Sequence, residues 1–219
     1  MAPREQTLDR AVILAAGRAT RLGGRNKLLV KAAGRPVADY HARALAGYET
    51  TAIVRYEERE QVRSEAPWLH TVIGDNRGGG PVGALTAYFE SDHFKRDRPL
   101  LVVYGDTLLD EIPERPGSWV GVAAAPTRTW DFHDGIEWTR GTPTALVCVG
   151  LYRFDRPDIL EQIAHQLRER ALLQGKAETH MAEALRYYAE QRRLPAQRVP
   201  GWRDAGDNEA LAKLERETE

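Results

Sequence analysis

Cysteine is nearly absent from this chain of 219 residues, which contains Cys148 alone. A single thiol cannot form a disulfide within one chain, so the disulfide-stapled secreted folds are excluded. Its neighbours in TALVCVGLY are apolar, which predicts a small core residue on a strand. We therefore expect a cytoplasmic protein, because thiols stay reduced in that compartment.

Long apolar runs and excess charge are also missing. No stretch is long enough to span a membrane, and the opening MAPREQTLDR lacks the apolar core of a signal peptide. The net charge is −1, and the six histidines are scattered without metal-ligand spacing. We predict no nucleic-acid partner, no membrane partner and no zinc site, so any cationic site has to be local.

Strands and helices alternate along residues 1–110. Four apolar segments are predicted to be buried strands with helical stretches between them: RAVILAA, TTAIVRY, LHTVIG and RPLLVVYGD. After residue 110, strands follow one another with little helix between them. Two helices come next, in RPDILEQIAHQLRERALLQ and ETHMAEALRYYAEQRR, and a terminal helix begins after Asp207 as N-cap. We predict one α/β, Rossmann-like domain, residues 1–219. Its central sheet is mostly parallel with helices on both faces, and an antiparallel elaboration follows at the C-terminal side.

A Gly-rich cationic stretch, ILAAGRATRLGGRNK, follows the first strand. Its glycines and cations are Gly17, Gly23, Gly24, Arg18, Arg21, Arg25 and Lys27. A loop after a parallel strand lies at the carboxyl edge of the sheet, where open α/β sheets bind ligands. Glycines let backbone N–H groups approach an anion, and several cations suit a triphosphate. The alternative is a surface turn whose cations are merely solvated.

Two common phosphate-binding motifs do not match this stretch. The P-loop requires Ser or Thr after Gly-Lys, whereas Lys27 is followed by Leu28. The dinucleotide fingerprint G-x-G-x-x-G fails at Ala19, and Asp39 falls within the predicted first helix instead of at the end of a second strand. A dinucleotide oxidoreductase is therefore disfavoured.

The stretch resembles the signature of the GT-A-like nucleotidyltransferases that activate sugar phosphates and related phosphorylated small molecules. That signature reads L-A-A-G-x-G-x-R-L, then Pro-Lys, then Gly-x-Pro; this chain has LAAGRATRL, NKLL and GRP in the same order. Ala19 replaces the usual glycine, and Asn26 replaces the usual proline. The resemblance implies that Arg21 and Lys27 act on the triphosphate as catalytic cations. It also implies nucleotide-binding positions at Leu14, Ala15, Ala16, Gly17 and Lys27.

Three further segments extend the resemblance over most of the chain. NRGGGPVGAL, residues 76–85, resembles the segment that lies against the nucleobase, which implies roles for Asn76 and Gly80. VVYGD and GWRDAGD resemble the segments that supply two metal ligands. By resemblance, Asp106 and Asp204 are catalytic residues that hold Mg²⁺. Singly, each could be a turn or cap residue; together, in the family's order, they favour the enzyme.

The resemblance implies a nucleotidyltransferase of EC 2.7.7 type, with residues 1–110 binding the nucleotide and residues 111–219 binding the acceptor. An acceptor phosphate attacks the α-phosphorus of a nucleoside triphosphate, and pyrophosphate leaves. A phosphate monoester is already an anion near neutral pH, so the reaction needs positioning and charge neutralisation more than a base. The predicted partners are the triphosphate and a phosphorylated small molecule; the nucleobase stays open, as does the choice between monomer and homodimer.

The acceptor site is the least defined part. In PTRTWDFHDGIEWTR, Arg128 and Arg140 either bind a phosphate or carboxylate or belong to an exposed loop. GKAETHMAEAL resembles the family's stretch before a late helix, which implies acceptor roles for Lys176 and Glu178. Relatives acting on hexose 1-phosphates often have a Glu-Lys pair that residues 107–175 lack. Sugar phosphates, phosphocholine and phosphonates remain open as acceptors, with hexose phosphates less favoured.

Two other functions compete with this one. A guanylyltransferase acting on a pterin cofactor shares the LAAG…R opening but should lack the late Trp-x-Asp run, which is present here. A catalytically silent nucleotide-binding regulatory protein should have lost one of Lys27, Asp106 and Asp204, and this chain has all three.

Overall fold

The computed structural model describes residues 9–74, 79–124, 131–132, 138–139 and 146–217. The strands in these ranges are β1 (Asp9–Leu14), β2 (Lys31–Ala32), β3 (Arg35–Pro36), β4 (Tyr48–Val54), β5 (His70–Ile73), β6 (Leu100–Tyr104), β7 (Thr107–Leu108), β8 (Trp119–Ala123), β9 (Asp131–Phe132), β10 (Trp138–Thr139), β11 (Val147–Phe154), β12 (Ala196–Arg198) and β13 (Arg203–Asp204). The helices are α1 (Val37–Ala44), α2 (Arg59–Glu65), α3 (Gly80–Phe89), α4 (Pro157–Leu173), α5 (Met181–Gln191) and α6 (Asn208–Arg216).

The main sheet has the strand order β10-β9-β11-β6-β1-β4-β5. β1 lies parallel to β4 and to β6, and β5 lies parallel to β4. β11 runs antiparallel to β6 and to β8, and β12 extends the sheet beyond β8. The parallel first half and the antiparallel addition confirm the predicted α/β, Rossmann-like fold class.

Helices cover both faces of this sheet because successive β1 side chains point to opposite faces. Val12 and Leu14 pack in a cluster with residues of α3, α4 and α5. Ala11 and Ile13 pack in a second cluster with residues of α1 and α2. The apolar run in β1 is therefore buried on both sides, as its sequence predicted. Among the described residues, none of the helices combines the length and apolar character needed to cross a bilayer.

A third, smaller cluster joins distant parts of the chain near the carboxyl edge. It contains Leu22 from the loop after β1, Leu108 from β7, Ala205 after β13 and Leu211 from α6. Asp207 caps α6, since its Oδ1 accepts a hydrogen bond from the N–H of Ala210 at 2.9 Å. The predicted N-cap is confirmed, and α6 holds the last part of the chain beside the first loop.

Two short strand pairs were not predicted from the sequence. β2 and β3 form an antiparallel hairpin, and β7 pairs antiparallel with β13. Each of these strands has two residues, which is too short to show a period in hydrophobicity. The second pair is the one that assembles the site.

Candidate active site

The carboxyl ends of β1 and β6 lie side by side and carry the first parts of the site. The N–H of Ala15 donates to Ile53 O at 2.9 Å, and the N–H of Gly105 donates to Leu14 O at 3.0 Å. A Cβ at Gly105 would lie 3.2 Å from both the Ala15 Cβ and the Leu14 carbonyl oxygen. Close packing between the two chain segments therefore places Asp106 next to the loop that begins at Ala15.

The loop after β1, residues 15–27, is called the Gly loop below. It turns through Ala19, Gly23 and Gly24, which all have left-handed backbone conformations with φ of 46°, 67° and 77°. The Ala19 carbonyl accepts hydrogen bonds from the N–H groups of Leu22 at 2.8 Å and Gly24 at 3.0 Å. Ala19 thus keeps the backbone that a glycine would adopt, although it has a side chain.

Asn26 fixes the end of the Gly loop, at the position where related sequences usually have proline. Its Nδ2 donates to Glu58 Oε2 at 2.6 Å, and its Oδ1 accepts from the N–H of Leu28 at 2.9 Å. Arg55 forms an ion pair with Glu58 and donates to the Gly24 carbonyl at 3.1 Å. This buried network replaces the rigidity of a proline and sets the position of Lys27.

The strand pair β7–β13 brings the two predicted metal ligands together. Asp204 lies opposite Thr107, and the N–H of Ala205 donates to Asp106 O at 2.9 Å. A Cβ at Gly206 would lie 3.0 Å from Asp204 Oδ1 and 3.1 Å from Asp106 Oδ2, so both carboxylates face the same bare backbone. Lys27 Nζ forms an ion pair with Asp106 Oδ2. Residues 98 positions apart in sequence thus share one cleft with Lys27.

The electrostatics of the cleft reflect this convergence. Asp204 is open to solvent on one side, yet partial burial raises the pKa of its carboxyl, and the negative charge of Asp106 raises it further. Nearby, burial lowers the pKa of His41 to about 4, so the ring is neutral at pH 7. His41 Nε2 lies 3.4 Å from the Gly105 carbonyl oxygen and supports the backbone just before Asp106. The sequence analysis did not identify His41.

A cavity of about 240 Å³ opens beside the carboxylates. The residues around it are Arg21, Lys27, Tyr104, Asp106, Thr107, Cys148, Val149, Gly150, Tyr152, His180, Met181, Ala182, Trp202, Asp204 and Gly206. All four predicted catalytic residues therefore border one space. Cys148 is half-buried in β11, packs against the cluster that contains Val12 and Leu14, and also lines the cavity.

The inner part of the cavity is aromatic and neutral. The Tyr104 and Tyr152 rings meet edge to face with centroids 5.9 Å apart, and the Cys148 thiol lies 3.3 Å from the Tyr152 hydroxyl. Burial raises the pKa of both tyrosines and of the thiol, so all three stay protonated at pH 7. A β-bulge in β11 places Tyr152 and Cys148, with Gly150 at φ 70° between them. These wall residues look like ordinary strand residues in the sequence.

The remaining predicted residues are distributed differently. Asn76, Arg128 and Arg140 lie outside the described residues. Gly80 begins α3 at φ 65° and packs against the backbone of Thr179. Lys176 is exposed after α4, and Glu178 pairs with Gly79 in an isolated parallel bridge. Neither borders the cavity, whose wall in that segment begins at His180. The acceptor roles of Lys176 and Glu178 stay predictions.

The donor set fits Mg²⁺. Within the described ranges, no cluster of three or more His, Cys, Asp or Glu side chains is arranged to hold a metal ion. Mg²⁺ commonly binds one or two carboxylates and completes its coordination with water and substrate phosphates. Asp106 and Asp204 supply two hard oxygen ligands around Gly206, which leaves space because it has no side chain. A softer metal would require nitrogen or sulfur ligands here.

The Gly loop, Asp106 and Asp204 meet at the carboxyl edge of the parallel strands, where open α/β sheets bind their ligands. Residues 11–113 match the family model of the MobA-like NTP transferase domain. The predicted recognition and enzyme class, a nucleotidyltransferase, are thereby confirmed. No curated protein matches the sequence significantly.

Solved structures with the same fold are nucleotidyltransferases. The CTP:phosphocholine cytidylyltransferase of Streptococcus pneumoniae is 17% identical, with 97% of this chain and 100% of that chain covered at a TM-score of 0.74. The nucleoside-diphosphate-sugar pyrophosphorylase of Vibrio cholerae is 17% identical, with 94% and 99% covered at 0.73. The inositol-1-phosphate CTP transferase of T. maritima is 14% identical, with 94% and 96% covered at 0.64. At such identities the likeness establishes the fold.

Proposed function

We propose that this protein transfers a nucleoside monophosphate from a nucleoside triphosphate to a phosphorylated small molecule, releases pyrophosphate and depends on Mg²⁺. The observation that carries the proposal is the convergence of Lys27, Asp106 and Asp204 at the mouth of a cavity large enough for a small acceptor. The family match over residues 11–113 supports the reaction class.

The two carboxylates and two cations have separate tasks in this proposal. Asp106 and Asp204 would hold Mg²⁺, which when bound neutralises charge on phosphate oxygens. Lys27 pairs with Asp106 in the free protein. In the proposal it releases this carboxylate and binds a phosphate oxygen instead. The Arg21 side chain is 72% exposed at the mouth and pairs with Asp207 at 4.0 Å. Because such an exposed pair contributes little, Arg21 would exchange it for an oxygen of the departing pyrophosphate. The acceptor phosphate is already anionic, so no side chain has to remove a proton.

The cavity favours an acceptor with a phosphate at one end and a compact apolar or cationic group at the other. Charged residues stand at the mouth, whereas Tyr104, Tyr152 and Trp202 form aromatic walls. The walls also include Val149 and Met181, so the inner part of the cavity offers few hydrogen-bonding groups to the several hydroxyls of a hexose. Aromatic rings attract a quaternary ammonium group by cation–π interaction. Phosphocholine-like acceptors are therefore proposed ahead of hexose phosphates.

A pyrophosphate-release assay tests the proposal. CTP, UTP, GTP, ATP and dTTP are each combined with Mg²⁺ and with phosphocholine, inositol 1-phosphate, glucose 1-phosphate, a phosphonate or a phosphorylated pterin cofactor. We expect release with one triphosphate and one acceptor class, and loss of release with EDTA. Tight nucleotide binding without release for any pair would instead favour a silent regulatory protein. Release with GTP and a pterin acceptor alone would favour the guanylyltransferase alternative.

Other features of the proposal rest on the sequence. The single-domain organisation over residues 1–219, the cytoplasmic location and the choice between monomer and homodimer stay predictions. Size-exclusion chromatography with light scattering distinguishes the two oligomeric states.

A further inference from the structure

A basic groove of about 450 Å³ lies at the opposite edge of the sheet from the active site. Its lining residues are Arg59, Arg63, Pro67, Leu69, His70, Thr71 and His93. His70 is the first residue of β5, whereas Asp106 follows the last residue of β6. The parallel strands β1, β4, β5 and β6 have four to seven residues, which corresponds to roughly 13–24 Å. The groove is therefore separate from the cleft that contains Asp106.

Arg59 differs from comparable arginines in this structure. Five arginines among the described residues have an enclosed Nε without a hydrogen-bond partner: Arg10, Arg55, Arg59, Arg153 and Arg168. Four of the five form an ion pair with a carboxylate through a terminal nitrogen. Arg59 has no ion pair and no side-chain hydrogen bond with any described residue, and its terminal nitrogens are not enclosed. Its charge is thus held in the groove without a counter-ion from any residue that the structure describes.

The described residues that line the groove present donors and no carboxylate, although Glu49 and Asp92 lie near enough to interact with His93. Arg59 and Arg63 are one helical turn apart in α2, so they project from the same face and repel each other weakly. Glu60 approaches Arg63 at 3.3 Å, but both side chains are mostly exposed and this pair contributes little. The His70 and His93 rings stack at 4.8 Å on the same groove. An anion would relieve the repulsion and pair with these groups.

We propose that the basic groove binds a phosphate or diphosphate group. A guanidinium presents paired N–H donors that match two phosphate oxygens, and an arginine without a carboxylate partner is available for such bidentate contact. The two imidazoles add N–H donors from the other side of the groove. The ligand is either a free phosphate or diphosphate ion or the phosphate group of an ester. This inference does not depend on the reaction proposed above.

Histidine NMR gives a local test. The full-length protein with ¹³C-labelled histidine is titrated in EDTA at pH 7 with inorganic phosphate, pyrophosphate or glycerol 3-phosphate, and separately with sodium chloride at matched ionic strength. We expect saturable shifts of the His70 and His93 resonances with at least one phosphate and not with chloride. His180, which lines the active-site cavity, reports binding there independently. The three phosphates distinguish a free ion from an ester.

Variants decide whether the arginines bind the ligand. The double variant Arg59→Gln/Arg63→Gln should weaken the His70 and His93 titration at least about tenfold, as loss of hydrogen bonds to a charged group does. Arg193→Gln, at an exposed site after α5, should leave it unchanged. If the double variant misfolds, Arg63→Gln alone, at a mostly exposed side chain, should still weaken binding. Equal affinity in wild type and folded variant, or no saturable shift with any phosphate, would overturn the proposal.

Discussion

The Gly loop and the segment of residues 202–207, here called the C-terminal segment, reach the same cleft from opposite ends of the chain with opposite charge. The loop contributes Lys27, and the segment contributes Asp204. Asp106 lies between them, since it pairs with Lys27 and shares the space at Gly206 with Asp204. The site therefore combines two cations of the Gly loop, Lys27 and Arg21, with two carboxylates that repel each other.

The two segments are held in place by different means. The Gly loop is shaped by its own left-handed turns and by the buried contact between Asn26 and Glu58. The C-terminal segment is positioned by β-pairing across the sequence, through the bond from Ala205 N–H to Asp106 O. Substitutions in the loop should therefore act on the cations alone. Substitutions in the C-terminal segment should disturb both carboxylates together.

The largest effect is expected from the carboxylates. Asp106→Asn and Asp204→Asn each keep side-chain size but remove a metal ligand, so each should lower turnover by about a thousandfold or more. Because the two residues act on one ion, the double variant should be scarcely slower than either single variant. Pyrophosphate release measures turnover, and circular dichroism checks that the fold is retained. Losses that simply multiply would show that the carboxylates act independently.

A smaller but still large loss is expected in the Gly loop. Lys27→Ala should lower turnover by at least about a hundredfold, because it removes the ammonium group that is proposed to neutralise negative charge on the triphosphate. Arg25→Ala is the matched control two residues away. Arg25 is exposed and donates only to the Leu22 carbonyl at 3.2 Å, so its loss should matter little. Equal losses in the two variants would mean that the loop is aligned wrongly with the family signature.

Much of the fold and the chemistry at the cleft could be predicted from local patterns. The apolar run in β1 predicted a strand buried on both faces, and the Gly-rich stretch predicted a ligand loop at its end. Short motifs predicted four catalytic residues, and the structure brings all of them to one cavity: Arg21, Lys27, Asp106 and Asp204. Their roles stay predictions until turnover is measured.

The cavity wall could not be predicted in the same way. Tyr104 and Tyr152 face the cavity because β6 and β11 are neighbours and a bulge shifts the register of β11. The pairing of β7 with β13 joins residues far apart in sequence through strands of two residues. Such contacts depend on tertiary register, and no local periodicity encodes them.

An intermediate effect is expected where the carboxylates meet the backbone. Gly206→Ala would place a Cβ 3.0 Å from Asp204 Oδ1 and 3.1 Å from Asp106 Oδ2, which forces the carboxylates to shift. We expect the Mg²⁺ concentration for half-maximal activity to rise about tenfold or more, as changes around metal ligands typically cause. Gly47→Ala, at a site with open space, should not change it. If the Mg²⁺ concentration for half-maximal activity is unchanged in both variants, the metal does not bind beside Gly206.

The smallest effect is expected at Ala19, where the Gly loop departs from the family signature. Ala19 has φ 46° and ψ 40°, a left-handed conformation that costs an alanine about 1–2 kcal/mol. Glycine relieves this cost but loses roughly 0.5–1 kcal/mol through its more flexible unfolded chain. Ala19→Gly should therefore raise the free energy of unfolding by up to about 1 kcal/mol, a change that urea denaturation can measure. The resemblance to the family signature implies that the Ala19 methyl group crowds the backbone next to the phosphates. The same variant should therefore lower KM for the triphosphate without changing kcat.

Ala33 supplies the control for this last prediction. It has φ 48° in the hairpin between β2 and β3, outside the Gly loop, so it has the same left-handed backbone at a position for which no triphosphate contact is proposed. Ala33→Gly should stabilise the protein by a similar amount and leave KM unchanged. If both variants lower KM equally, the effect of Ala19 comes from general stability and not from crowding beside the phosphates. If Ala19→Gly destabilises the protein while Ala33→Gly does not, the left-handed backbone conformation assigned to Ala19 is wrong.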